Sequence, residues 1–241
     1  MNSTENNIRD NGGSSGRGAR RRSFDTKRLV GISVFSALAY VVALVCQVIP
    51  SIAGFLSLDF KDAVIAMASF IYGPISAVLI ALIAAALELV TISATGWYGF
   101  LMNFASSAAF SLVASLIYRK LKSLNGALIS FLAAVVTTVS VMLLLNTFVT
   151  PLYMAQIGVP LDRAGVIAMI PDILLPFNLA KALLNSALAM VLYKPIANAC
   201  RRIGFAVGDA SKMRFNRSTV IILSVGGACI IAAVIMLVMI P

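Results

Sequence analysis

The chain has 241 residues, 60% of them hydrophobic and only 12% charged, with a net charge of +10 and no histidine. This composition excludes a soluble domain built around one large core and predicts an all-α integral membrane protein that crosses the bilayer several times. The basic residues stand at the ends of apolar runs, where they set topology, so the positive charge predicts a lipid bilayer as partner and no nucleic acid.

Residues 1–28 are rich in Asn, Gly, Ser and Arg and carry too little apolar surface to fold alone, which predicts a disordered basic cytoplasmic tail. A first span is predicted over about 29–49. Ser36, Ala39 and Ala43 share one side of it, and small residues so spaced let another backbone come close, in this chain or in a partner subunit. After a turn at 50–54 comes FLSLDFKD, where Asp59, Lys61 and Asp62 cluster at the start of a second apolar run that ends near Tyr72. Gly73 and Pro74 punctuate the chain there, since proline is best tolerated in the first turn of a new helix.

A third span over about 75–92 carries Glu88 near its far end, and a fourth over about 100–118 carries Asn103 near its start. The fifth span, about 124–149, has Asn146 near its end, and residues 150–170 read as the longest connection of the core. The sixth opens at Pro171 and runs to Lys194. A polar linker over 201–218 leads to a last uncharged apolar run at 219–240, long enough to span. The predicted organisation is therefore a tail (1–28), a six-helix membrane core (29–200), a cytoplasmic linker (201–218) and a seventh transmembrane helix (219–241).

The sixth segment is the most informative. Asn178, Lys181 and Asn185 lie three and then four residues apart, on one helical face. A lysine at membrane depth costs at least about 2.5 kcal/mol, so it faces protein, water or a ligand, with a partner for its charge. A snorkelling lysine would explain Lys181 alone but not the two asparagines beside it.

Lysine and arginine counts orient the chain. With the amino-terminal tail inside, the clusters at 119–122 and 194–217 also fall inside, and the opposite loops hold only Lys61 and Arg163. Glu88, Asn103, Asn146, Asn178 and Lys181 then occupy a similar depth toward the outside, which predicts an outward-facing pocket; Trp97, Tyr98, Phe148 and Phe177 at the same level either wall it or, Trp97 above all, belong to the interfacial aromatic belt. Glu88 and Lys181 are candidates to neutralise one another, and an ion-coupling carboxylate is the rival role for Glu88.

Enzyme chemistry is not expected. The chain has no GxxxxGK[ST] phosphate loop, no GxSxG elbow and no HExxH pair, and without histidine it lacks the commonest general base and metal ligand. Cys46, Cys200 and Cys229 have no CxxC spacing, so neither a disulfide framework nor a metal site is predicted, and no cofactor. What remains is a pocket for a small polar, planar solute.

Five strings carry a family resemblance: FLSLDFKD (55–62), IYGPISAVLIALIAAALELV (71–90), NFASSAAFSLVASLIYRK (103–120), LLNTFVTPLY (144–153) and PFNLAKALLNSALAMVLYK (176–194). Together they resemble the substrate-binding S components of energy-coupling factor (ECF) vitamin transporters, most of all the riboflavin-specific ones, over roughly 29–200. The resemblance implies a six-helix membrane protein of the cell membrane that captures riboflavin or a related flavin from outside. It implies Asn146, Asn178 and Lys181 as ligands of the isoalloxazine ring, with Leu58, Asp59, Glu88 and Asn103 completing the pocket. It further implies that Ser36, Ala39 and Ala43 contact a transmembrane coupling subunit, and that two partner ATP-binding subunits hydrolyse ATP. The amino-terminal tail and the seventh helix lie outside the resemblance. An S component for another vitamin, and a solitary ion-coupled carrier using Glu88, are the competing readings.

Overall fold

Each long apolar run of the sequence is a helix in the computed structural model, which describes residues 15–121, 124–204 and 217–240. In chain order the helices are α1 (Ser15–Cys46), α2 (Lys61–Tyr72), α3 (Pro74–Thr91), α4 (Gly96–Leu121), α5 (Leu124–Gln156), the short α6 (Arg163–Ala168), α7 (Leu175–Arg202) and α8 (Arg217–Val238). A π-helical turn, Ile170–Leu174, joins α6 to α7. Residues 1–14 of the expected tail and 205–216 of the expected linker lie outside the described residues.

Among the described residues, six stretches are long and apolar enough to cross a membrane: Thr26–Cys46, Pro74–Thr91, Gly96–Leu121, Asn125–Gln156, Ile170–Arg202 and Val220–Val238. The second apolar run is the exception. Its 12 residues form α2, whose rise of about 18 Å falls well short of a ~30 Å hydrocarbon core. Instead α2 is the inner rod of the bundle, packed against α1, α3, α4 and α7, with Lys61 through Ser69 all buried.

Small side chains make that packing close. Ser36, Ala39 and Ala43 of α1 are 2%, 0% and 3% exposed inside the chain's own bundle. This corrects their assignment to a partner subunit: the space left by small residues four apart is filled by the chain's own helices, for α1 packs on α2 and α3. A Cβ on Gly31 would run into the Tyr72 ring, so the same face of α1 must stay bare there too. On the other side of α2, α4 presents Ser106, Ser107, Ser111 and Ser115, all buried. Ser107 donates to Asp62, and Ser115 donates to the Ser69 carbonyl at 3.1 Å. Interhelical hydrogen bonds of this kind hold helices together where lipid supplies no hydrophobic drive.

Gly73 turns the chain between α2 and α3 with φ of 99°, a left-handed value that glycine adopts without strain, and Pro74 then starts α3. Phe70 lies beneath this turn among Tyr118, Phe131 and Tyr193, at ring-centroid distances of 4.5, 5.6 and 5.5 Å, and these rings fill the basic end of the bundle.

Several boundaries differ from expectation. The first helix begins at Ser15, because the arginine-rich segment before the membrane continues the helix instead of leaving it. α5 runs through Pro151 to Gln156, so the expected long loop shrinks, and Arg163–Ala168 inside it is helical, with Asp162 capping by accepting from Gly165 N at 2.8 Å. α7 continues past Lys194 to Arg202, through Pro195. α8 packs on α7, where Gly226 admits Val191 and the Ala187 carbonyl, and most of its remaining surface is apolar and exposed.

Candidate functional site

The site begins at the amino terminus of α2. The first N–H groups of a helix have no partner within it. Here Asp59 Oδ1 accepts from Lys61 N at 3.3 Å, and Asn185 Oδ1 reaches across from α7 to accept from Ala63 N at 2.8 Å. The Asn185 amide nitrogen donates to Asp59 O at 2.9 Å and to Lys181 O at 3.0 Å. Both N–H groups of its amide and its carbonyl oxygen are engaged, it is fully buried, and it lines neither of the two clefts described below. Asn185 therefore ties α2, the 47–60 loop and α7 together beneath the site instead of facing a ligand.

Asn185→Ala strands Ala63 N and Asp59 O. Each buried unsatisfied group costs about 1–3 kcal/mol, so a lowered thermal unfolding temperature in detergent is expected, measured on the purified protein.

Four charged side chains form one buried array. Lys181 Nζ meets Asp59 Oδ2 at 2.8 Å, Lys61 Nζ meets Glu88 Oε2 at 2.7 Å, and Lys61 also lies 3.5 Å from Asp59 Oδ2. Asn103 Nδ2 donates to Glu88 Oε2 at 2.9 Å. The expected Glu88–Lys181 pair is thus corrected to two pairs, Glu88–Lys61 and Asp59–Lys181, because Lys61 enters the bundle at the first residue of α2 and comes between them. Low-dielectric surroundings make each pair strong and each unpaired charge costly.

A cleft opens at this end of the bundle, with about 690 Å³ of space between its walls, the open solvent at its mouth included. Asn103 from α4, Asn146 from α5, and Asn178 and Lys181 from α7 all line it, so four of the expected polar residues meet on one space. Asn146 holds itself in place by donating to Met142 O at 2.7 Å and accepting from Thr150 at 2.9 Å. Asn178 donates to Leu174 O at 2.7 Å, which leaves its carbonyl oxygen and its second N–H for a ligand.

Of the four expected aromatic residues, Tyr98 and Phe177 line the cleft. Trp97 and Phe148 do not: Trp97 is 73% exposed against Phe100, and Phe148 is half exposed with Arg163 stacked 4.4 Å above its ring. Phe55 and Tyr153 take their places in the lining, Tyr153 lying 6.0 Å from Tyr98.

Leu58, Asp59 and Glu88 border a neighbouring cleft, which shares Phe55, Ser57, Thr95 and Asn103 with the first. The 47–60 loop is the partition between the two. It turns on Ile52 and Leu56, which exchange backbone hydrogen bonds, with Ala53 and Gly54 at positive φ between them. Lys61, Ser106, Thr150 and Tyr153 complete the polar surroundings and were not picked out from the sequence as site residues. Lys61 alone carried a signal, as a cation between two aspartates at the mouth of an apolar run.

The arrangement has chemical consequences. It offers amide donors and acceptors, one ammonium and aromatic rings, the means to read the edge of a planar heterocycle and cover its face. Among the described residues no group of three or more His, Cys, Asp or Glu side chains is placed to hold a metal ion.

Residues 27–193 match the family of substrate-specific components of ECF transporters. The chain is similar to the riboflavin transporter RibU of Staphylococcus aureus (strain TCH60), 31% identical over 178 residues, which cover 73% of this chain and 94% of that protein. It is also similar to the riboflavin transporter FmnP of Bacillus subtilis (strain 168), 27% identical over 172 residues, 69% of this chain and 90% of that one. Among solved structures it resembles the S component of a bacterial ECF transporter, with a TM-score of 0.61, 30% identity, and coverage of 74% of this chain and 99% of the other.

Proposed function

Because this chain belongs to the family of ECF transporter substrate-specific components, a multi-pass membrane protein and not an enzyme, we propose that it is the subunit that captures riboflavin for uptake across the cell membrane. One observation carries the choice of ligand: Asn146, Asn178 and Lys181, from two different helices, line a single cleft together with Tyr98, Tyr153 and Phe177. Amides and an ammonium match the alternating carbonyl and ring-nitrogen edge of an isoalloxazine, and rings cover its faces. The similarity to two riboflavin transporters points the same way.

In this reading the amino terminus is cytoplasmic, since Arg28, Arg119, Lys120, Lys194 and Arg201 gather at the end of the bundle opposite the cleft. The cleft then opens outward. Energy comes from partners, a transmembrane coupling subunit and two ATP-binding subunits, because the chain has no phosphate loop of its own. A solitary ion-coupled carrier is disfavoured by Glu88, whose Oε2 is already engaged by both Lys61 and Asn103.

Uptake of labelled riboflavin by cells lacking their own flavin importer tests the whole proposal. Accumulation is expected only when the chain is produced with a coupling subunit and both ATPases, and it should stop when the ATPases are inactivated. Accumulation by the chain alone, with a pH dependence that Glu88→Gln removes, would mean a carrier instead.

A further inference from the structure

We propose that Lys61, which lines neither cleft, is the positioning residue that sets the two polar groups on opposite walls of the binding cleft, Lys181 and Asn103. The inference rests on the flavin reading of that cleft and adds a residue to it.

Lys61 is 1% exposed and sits beneath the cleft floor. Two carboxylate oxygens converge on its ammonium, and each is shared with a residue of the cleft wall. Asp59 Oδ2 lies 3.5 Å from Lys61 Nζ and 2.8 Å from Lys181 Nζ. Glu88 Oε2 lies 2.7 Å from Lys61 Nζ and accepts from Asn103 Nδ2 at 2.9 Å. The five side chains form one continuous string, Lys181–Asp59–Lys61–Glu88–Asn103, whose two ends line the cleft and whose middle does not.

Both carboxylates depend on Lys61 for their direction. Glu88 Oε1 is buried with no partner, so only Oε2, through Lys61 and Asn103, fixes that side chain. Asp59 is held by Lys61 twice, through the ammonium at Oδ2 and through the Lys61 N–H at Oδ1. Without the Lys61 ammonium, Glu88 keeps one hydrogen bond, from Asn103, and Asp59 keeps Lys181 and the residue-61 N–H but loses the cation that shares Oδ2 with Lys181 and helps set how it presents Lys181 to the cleft. A ligand edge read by charge-assisted hydrogen bonds is sensitive to such displacement, because these bonds weaken steeply with angle and distance.

A double-mutant cycle on the full-length purified protein separates positioning from a general structural role. Riboflavin is titrated by fluorescence quenching against wild type, Lys61→Met, Lys181→Met and the double variant. Lys61→Met is expected to weaken binding about tenfold, the scale of a charge-assisted hydrogen bond lost from good geometry. Since it acts largely through Lys181, the double variant should bind within about threefold of Lys181→Met, the remainder being the Asn103 branch. Where Lys61→Met does not fold, Lys61→Met/Glu88→Gln removes one charge of each sign and replaces it in the same cycle.

Losses that multiply in the double variant, or wild-type affinity in Lys61→Met, would overturn the role of Lys61 while leaving the flavin site standing. A wild type that shows no saturable riboflavin binding would overturn the flavin reading and this inference with it.

Discussion

Asp59→Ala is expected to remove measurable flavin binding and to lower the stability of the protein by about 3–5 kcal/mol, the cost of breaking a buried ion pair by deleting one partner. Asp59 is 6% exposed and is the only carboxylate paired with Lys181 among the described residues. Without it Lys181 keeps one contact, the Ser57 carbonyl at 3.4 Å, and the ammonium stands in a low-dielectric setting with no counter-charge. Lys61 keeps Glu88 but loses its second carboxylate. Thermal unfolding in detergent, alongside a riboflavin titration, reads both effects. Asp59→Ala/Lys181→Met should regain much of the lost stability, since the stranded charge is gone, yet still not bind. Equal stability of the single and double variants would show that the pair is not what Asp59 supports.

Lys181→Met carries the second large effect, and it falls on binding more than on folding. Asp59 retains Lys61 at 3.5 Å when Lys181 is removed, and Met fills the space of the lysine stem, so the bundle remains intact. What disappears is the one ammonium of the cleft lining. A hydrogen bond from a charged group contributes about 1.5–3 kcal/mol, so affinity for riboflavin should fall by roughly tenfold to more than a hundredfold. Asn178→Ala removes a neutral bond from the same wall and should cost about fivefold to tenfold. Affinities within twofold of wild type in both variants, in a titration of folded protein, would place the ligand elsewhere.

The face formed by Asn178, Lys181 and Asn185 was legible because helical periodicity fixes it, and an intramembrane lysine demands a partner. Periodicity could not say which partner. Asp59 lies 122 residues from Lys181 and Glu88 lies 27 from Lys61, so the choice between two ways of pairing four charges depends on the depth at which α2 enters the bundle. The same gap hid the role of Asn185, which shares a helical face with the cleft residues but lies one turn deeper, at the unpaired amino terminus of α2. Small residues on α1 were legible as a close contact, but nothing in their spacing distinguishes a partner subunit from the chain's own α2 and α3. Trp97 and Phe148 stood at the right depth and on the wrong side of their helices, a rotation that apolar runs without a polar face do not reveal.

The most direct test is a riboflavin titration of the chain purified alone in detergent, following flavin fluorescence, with the visible absorbance of the preparation recorded first. The site described here predicts a yellow preparation or saturable quenching at sub-micromolar riboflavin, lost in Lys181→Met. A colourless protein that ignores riboflavin and is stabilised instead by another vitamin would contradict the flavin assignment.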